Sequence, residues 1–139
     1  MSVMIKIYGQ TDSKNHPSEM NEMITFFNVL KRDYPHLARI ATHIKNEGKR
    51  DYRAASYEKM SGMVKGFADI IIVGCPPFIC EMKSRNKGAK LSDYQKRFLE
   101  DADKTNAFVC IAYGYEAALE AMREWLDAQR RQEVGISSD

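Results

Sequence analysis

At 139 residues and 44% hydrophobic, the chain is long enough to bury a core without disulfides or a structural metal. No run approaches the roughly 20 apolar residues of a membrane span, and the opening Met1-Ser2-Val3-Met4-Ile5-Lys6 lacks a signal-peptide layout. A formal charge of +2 excludes little by itself, while Cys75, Cys80 and Cys110, odd in number and without C-x-x-C spacing, predict free structural thiols and a cytoplasmic protein.

Val3 to Tyr8 reads as a short peripheral strand. His16-Pro17-Ser18 opens a helix to about Tyr34, with Pro17 in its first turn. Met20, Met23, Ile24, Phe27 and Leu30 recur there at helical spacing. Leu37 to Ile44 is apolar enough for a strand, and Asn46 to Gly62 reads as a polar loop with room for a short helix. Ile70-Ile71-Ile72-Val73 and Phe78-Ile79-Cys80, separated by Gly74-Cys75-Pro76-Pro77, predict two antiparallel strands in a hairpin. A basic loop, Asn86-Lys87-Gly88, leads to a helix from Ser92 to about Lys104. Ala107 to Tyr113 is a further buried strand and Gly114 a turn. Ala118, Ala121, Met122 and Trp125 mark one face of a last helix, with a polar tail after Arg131 expected to fray. Neither repeat nor linker interrupts the pattern, so one α/β domain over residues 1–139 is expected.

The hairpin carries the chemistry. A loop centred on Cys75 sets Asp69 opposite Glu81, on one face with Cβ atoms about 5 Å apart. Lys83, two residues further on, shares that face because strand side chains alternate. Carboxylates held so close repel unless a cation lies between them, and a hard divalent ion such as Mg²⁺ is the usual solution. A lysine alongside can orient or deprotonate a metal-bound water and offset charge on a phosphoryl group. That is the chemistry of metal-dependent phosphodiester hydrolysis. The plainer reading is a surface ion pair at a strand end. Against it, Ile70, Ile72, Phe78, Cys80 and Met82 make one apolar face, while Ile71, Val73 and Ile79 make the carboxylate face apolar too. Strands covered on both sides are predicted, and charges there are costly to bury.

The distribution of charge adds to this. Lys83 to Arg97 holds six basic residues and one acid, and Lys45 to Lys65 holds six against three. A basic rim around an acidic centre suits a polyanionic backbone, with Lys49, Arg50, Lys65, Arg85, Lys87 and Lys90 as candidate DNA contacts. The alternative is ordinary solvated loop charge. His16, His36 and His43 show no ligand spacing and read as structural or exposed.

The order helix–strand–hairpin–helix–strand with D…E-x-K on the hairpin resembles the PD-(D/E)XK nuclease superfamily, with Ala68 in place of the proline of that name. Within it, the chain is most similar to the virus-type replication-repair nucleases, the VRR-NUC family. The matching residues are Ser18-Glu19, Asn46-Glu47-Gly48-Lys49-Arg50, and Gly62 with Lys65-Gly66-Phe67-Ala68-Asp69. They continue with Phe78-Ile79-Cys80-Glu81-Met82-Lys83, Leu91-Ser92-x-x-Gln95 and Gly114-Tyr115-Glu116-Ala117, spanning roughly residues 18 to 126.

The resemblance implies a central mixed sheet flanked by helices and a Mg²⁺-dependent endodeoxyribonuclease, with Mn²⁺ as a substitute and no organic cofactor. It implies that Asp69, Glu81 and the Met82 main-chain carbonyl hold the metal and that Lys83 activates or positions the attacking water. Glu19 would reach the site from the first helix, directly or through a metal-bound water. Stand-alone members look like Holliday-junction resolvases, which implies branched DNA and a homodimer. Flap or duplex cutting, or a non-catalytic DNA-binding module, are the alternatives.

Helix geometry separately favours Glu19 over Glu22. At about 100° per residue, Glu19 falls between Phe26 and Leu30, while Glu22 turns roughly 60° further toward solvent. The competing explanation for both acids is the helix dipole. Gln95 has two readings: with Ser92 it completes a capping box, yet it lies on the inward stripe of Leu91, Phe98 and Leu99, and the resemblance places it in the site. Gly66 either lets main chain or DNA approach closely or is a plain turn glycine. Asn46, Glu47 and Arg50 either contact DNA or brace a loop.

Overall fold

Five short strands form one mixed sheet in the order β1-β5-β4-β3-β2. The computed structural model describes residues 5–44, 56–57 and 59–137. In chain order the elements are β1 (Lys6–Tyr8), α1 (Glu19–Asp33), α2 (Pro35–Ala38), β2 (Ala41–His43), β3 (Ile70–Ile72), β4 (Phe78–Lys83), α3 (Asp93–Asp103), β5 (Phe108–Tyr113) and α4 (Tyr115–Ser137). β1 and β4 run parallel to β5, whereas β2–β3 and β3–β4 are antiparallel.

β3 and β4 pair as Ile70↔Cys80, Ile71↔Ile79 and Ile72↔Phe78, the register that a loop centred on Cys75 dictates. The loop itself is pressed onto α4. Trp125 donates its ring N–H to the Pro76 carbonyl at 2.8 Å, and a Cβ on Gly74 would lie 2.7 Å from the Trp125 ring.

Both sheet faces are covered. On one, Ile70, Ile72, Phe78, Cys80 and Met82 pack with Phe26 and Leu30 of α1 and Met122 and Trp125 of α4. On the other, Ile79, Val109 and Ile111 pack with Leu99 and Ala102 of α3. Each large side chain buried in this way contributes roughly 1.5–3 kcal/mol. β4, buried along all six residues, is therefore the firmest platform in the molecule, and it carries Glu81 and Lys83. Cys80 and Cys110 are buried register partners with free thiols.

Several local expectations are corrected. Leu37 and Ala38 belong to a helical turn that Pro35 starts, and the strand begins only at Ala41. Pro17 precedes the α1 N-cap, which is Ser18, whose hydroxyl accepts from the Asn21 N–H at 3.1 Å. Val73 lies beyond the end of β3 and is 63% exposed instead of packed. The last helix continues to Ser137 where a frayed tail was expected. The first strand is confined to Lys6–Tyr8, with residues 1–4 outside the described residues. Of the loop Asn46 to Gly62, residues 46–55 and 58 are likewise outside them, while residues 56–57 and 59–60 are helical. No helix among the described residues is long and apolar enough to cross a membrane.

Candidate active site

Asp69 immediately precedes β3, and its Oδ2 accepts from the main-chain N–H of Met82 on β4 at 3.0 Å. The approach to Asp69 is fixed by close main-chain packing. Gly66 has a φ of +82°, and a Cβ there would lie 2.5 Å from the Tyr94 carbonyl carbon in the first turn of α3. Of its two readings, close main-chain approach is what the structure places there. Phe67 then packs on Phe98 with ring centroids 4.2 Å apart, and Ala68 is fully buried. The segment leading to one carboxylate is thus fastened to α3.

That same helix reaches the second carboxylate. Glu81 is 0% exposed, and its Oε1 accepts from Gln95 Nε2 at 2.8 Å. The other end of the Gln95 amide accepts from the Ser92 main-chain N–H at 2.8 Å, while Ser92 Oγ accepts from the Gln95 N–H at 3.1 Å. Cap and site contact are not alternatives, because an amide has an acceptor and a donor end.

Burial and then the adjacent Asp69 charge push the Glu81 carboxyl up to about 10. Burial also raises Asp69, opposed first by a hydrogen bond with the Glu81 carboxyl and then by the Met82 N–H and the Lys83 charge. At neutral pH the pair retains a proton unless a cation replaces it. The buried Glu81 and half-buried Asp69 carboxyls are oxygen donors of the kind a hard divalent ion takes. No group of three or more His, Cys, Asp or Glu side chains among the described residues could hold one. Two carboxylates by themselves would leave most of an ion's coordination to water and main-chain oxygen.

Lys83, 9% exposed, places its Nζ 4.0 Å from Oε1 of Glu19 in the first turn of α1. Met82 sits between Glu81 and Lys83 with its side chain in the core.

Glu22 overturns the helix-wheel expectation. It does not face solvent but is 1% exposed. Its Oε1 accepts from Arg85 Nη2 at 3.1 Å, and its Oε2 accepts from the Tyr115 N–H at 2.6 Å. Tyr115 opens α4, and a helix N-terminus presents unsatisfied N–H groups and positive potential. Gly114, ahead of it, has no side chain to cap with. A glycine before the helix leaves its first N–H groups without a side-chain cap of their own, the only local hint of the contact that Glu22 makes.

Arg85 is paired with Glu22 and only partly exposed, unlike the lysines of the basic rim. Lys87 and Lys90 are exposed. Lys65 is exposed too, its ammonium 4.4 Å from the Tyr94 ring centroid. Lys49, Arg50, Asn46 and Glu47 lie outside the described residues. His16 pairs with Asp12 at 2.6 Å, His36 is exposed on α2, and His43 pairs with Ile70 at the sheet edge. Asn86 was not foreseen. Its Oδ1 accepts from the His16 N–H at 2.9 Å, and its Nδ2 donates to the His16 and Pro17 carbonyls at 3.2 and 3.4 Å.

No family model matches the chain, and neither does any curated protein. A solved structure described as a VRR_NUC domain protein superposes with a TM-score of 0.67, at 19% identity, over 81% of this chain and 91% of its own length. At that identity the likeness shows the fold. The chain has the VRR-NUC fold, a mixed five-strand sheet flanked by helices.

Proposed function

We propose that the protein is a metal-dependent endodeoxyribonuclease that hydrolyses phosphodiester bonds in branched DNA. The observation that carries this reading is Glu81, fully buried on a central strand with the half-buried carboxyl of Asp69 beside it. A scaffold gains nothing from such a pair, because unpaired buried charge is expensive. The VRR-NUC fold supports the same reading.

Asp69 and Glu81, with the Met82 main-chain carbonyl, would hold Mg²⁺ or Mn²⁺. When bound, the ion supplies Lewis-acid polarisation of the phosphoryl group and a more acidic water. Gln95 fixes the Glu81 carboxylate through its Nε2, and Ser92 in turn fixes Gln95. Lys83 offers a cationic donor beside the carboxylates, which can orient the attacking water and offset phosphoryl charge. Glu19 pairs with Lys83 and directs its ammonium.

Substrate choice follows from what reads the DNA. Lys65, Lys87 and Lys90 reach phosphates, which carry no base identity directly, so discrimination rests on branch geometry. Cutting both strands of a junction symmetrically requires two sites and hence a C₂ homodimer. The test is a cleavage panel of synthetic four-way junctions, flaps and linear duplex with Mg²⁺ or Mn²⁺. Paired nicks at the branch are expected. Cutting that tracks a fixed duplex sequence regardless of branching would replace this reading with a restriction-like one.

Neutralising Lys65, Lys87 and Lys90 together should weaken binding to every branched substrate by similar factors. It should also reduce the salt slope by about 2–3, one unit or slightly less for each phosphate that no longer meets a lysine. Titrations across a salt series read both quantities, and ordinary solvated charge predicts no change in either. Arg85 is left out because its charge is spent on Glu22.

A further inference from the structure

Glu22 is a buried acid that the proposed chemistry does not use. A capping side chain at position 114 would accept from the N–H groups of the second or third helical residue, and the Tyr115 N–H, the first, is the one Glu22 takes. The fold forbids one: Gly114 has a φ of +91°, and a Cβ there would lie 2.5 Å from Glu22 Oε2 and 2.8 Å from Arg85 Cδ. The cap instead comes from α1, which joins that helix to the exit of β4.

The joints converge on one place. Lys83 lies two residues before Arg85, and its carbonyl accepts from the Gly114 N–H at 2.9 Å. Glu19 lies one helical turn before Glu22 on the same side of α1, with its Oε1 4.0 Å from Lys83 Nζ. Ahead of the helix, Asn86 is bonded three times to His16 and Pro17. The start of α1 is therefore fastened on both sides of Glu19, at residues 16–17 ahead of the helix and at 22 within it, to Asn86 and Arg85, three and two residues beyond Lys83.

We propose that Glu22 and Asn86 are positioning residues that set the contact between Glu19 and Lys83. Each acts by holding α1 at the right distance from the end of β4. The catalytic consequence rests on the nuclease reading above, whereas the positional claim rests on these bonds alone.

The test is a double-mutant cycle with a spectroscopic readout. Single-turnover cleavage by Glu22→Gln and by Asn86→Ala should fall roughly 10- to 100-fold, the scale on which small misplacements act. In a Glu19→Gln background either change should cost little more, because interacting groups do not add. In protein labelled at lysine, the Lys83 ¹³Cε signal should move in the same direction in Glu22→Gln and Asn86→Ala as in Glu19→Gln, at constant pH and without metal. Equal rate losses in both backgrounds with an unmoved Lys83 signal would overturn the proposal and leave Glu22 a plain scaffold acid. Should the wild-type protein cut no nucleic acid, the nuclease reading falls by itself and the Lys83 signal still decides the positional claim. If Glu22→Gln does not fold, Asn86→Ala carries the same comparison.

Discussion

Replacing Glu81 with glutamine should lower metal-dependent cleavage by at least about 10³-fold, since metal assistance supplies several kcal/mol and each 1.36 kcal/mol is tenfold in rate. The same change should leave the metal-free protein as stable as the wild type or more so. Gln is the same size, and its amide oxygen can still accept from Gln95 Nε2, the bond that Glu81 Oε1 now makes at 2.8 Å. What it removes is a carboxyl that burial and Asp69 disfavour in its charged form. Asp69→Asn should behave alike, keeping an acceptor for the Met82 N–H. Cleavage rates and thermal melts in EDTA check the two halves. A Glu81→Gln protein that cuts at the wild-type rate with metal present would remove Glu81 from the site. One that melts far below wild type in EDTA would make the carboxylate a scaffold element.

The hairpin was legible because its signals are local. Loop parity gave the register, and apolar residues on both faces gave the double cover, so the burial of Glu81 followed. Gln95 was legible in halves, as a cap by spacing and as an inward residue by the helical stripe; only the folded amide shows that one side chain does both. Glu22 was not legible. A helical wheel places a side chain relative to its own helix, and the partners of Glu22 are Arg85 and Tyr115, 63 and 93 residues away. The Arg85 pairing was hidden for the same reason, since counting basic residues in a segment does not reveal a buried acid facing one of them. The tail after Arg131 was judged by polarity, yet Arg131, Gln132 and Glu133 are good helix formers, and α4 runs through them.

Removing the metal should abolish cutting and expose a pH dependence of stability that the metal conceals. In EDTA no cleavage is expected, and Mg²⁺ or Mn²⁺ should restore it. The stability effect follows from Glu81, whose carboxyl rises from 4.5 to about 10 on folding. Between those values the unfolded chain has released its proton and the folded one retains it, so folding takes up a proton. Stability then falls as pH rises through that window, the reverse of a carboxylate held in an ordinary ion pair. Metal-free protein should therefore melt at a lower temperature near about pH 8 than near about pH 5.5, by an amount that Glu81→Gln largely abolishes. On the proposed reading Mg²⁺ would bind the ionised pair of the native state in preference to the unfolded chain, so saturating metal should raise the melting temperature most at the high-pH end and flatten the slope. Thermal melts across pH, with EDTA and with Mg²⁺, for wild type and Glu81→Gln, give the four curves required. Stability rising with pH in EDTA would mean that the pair is already ionised without metal. Cleavage surviving in EDTA would leave Asp69 and Glu81 without the role proposed for them and require a hydrolytic mechanism built on other residues.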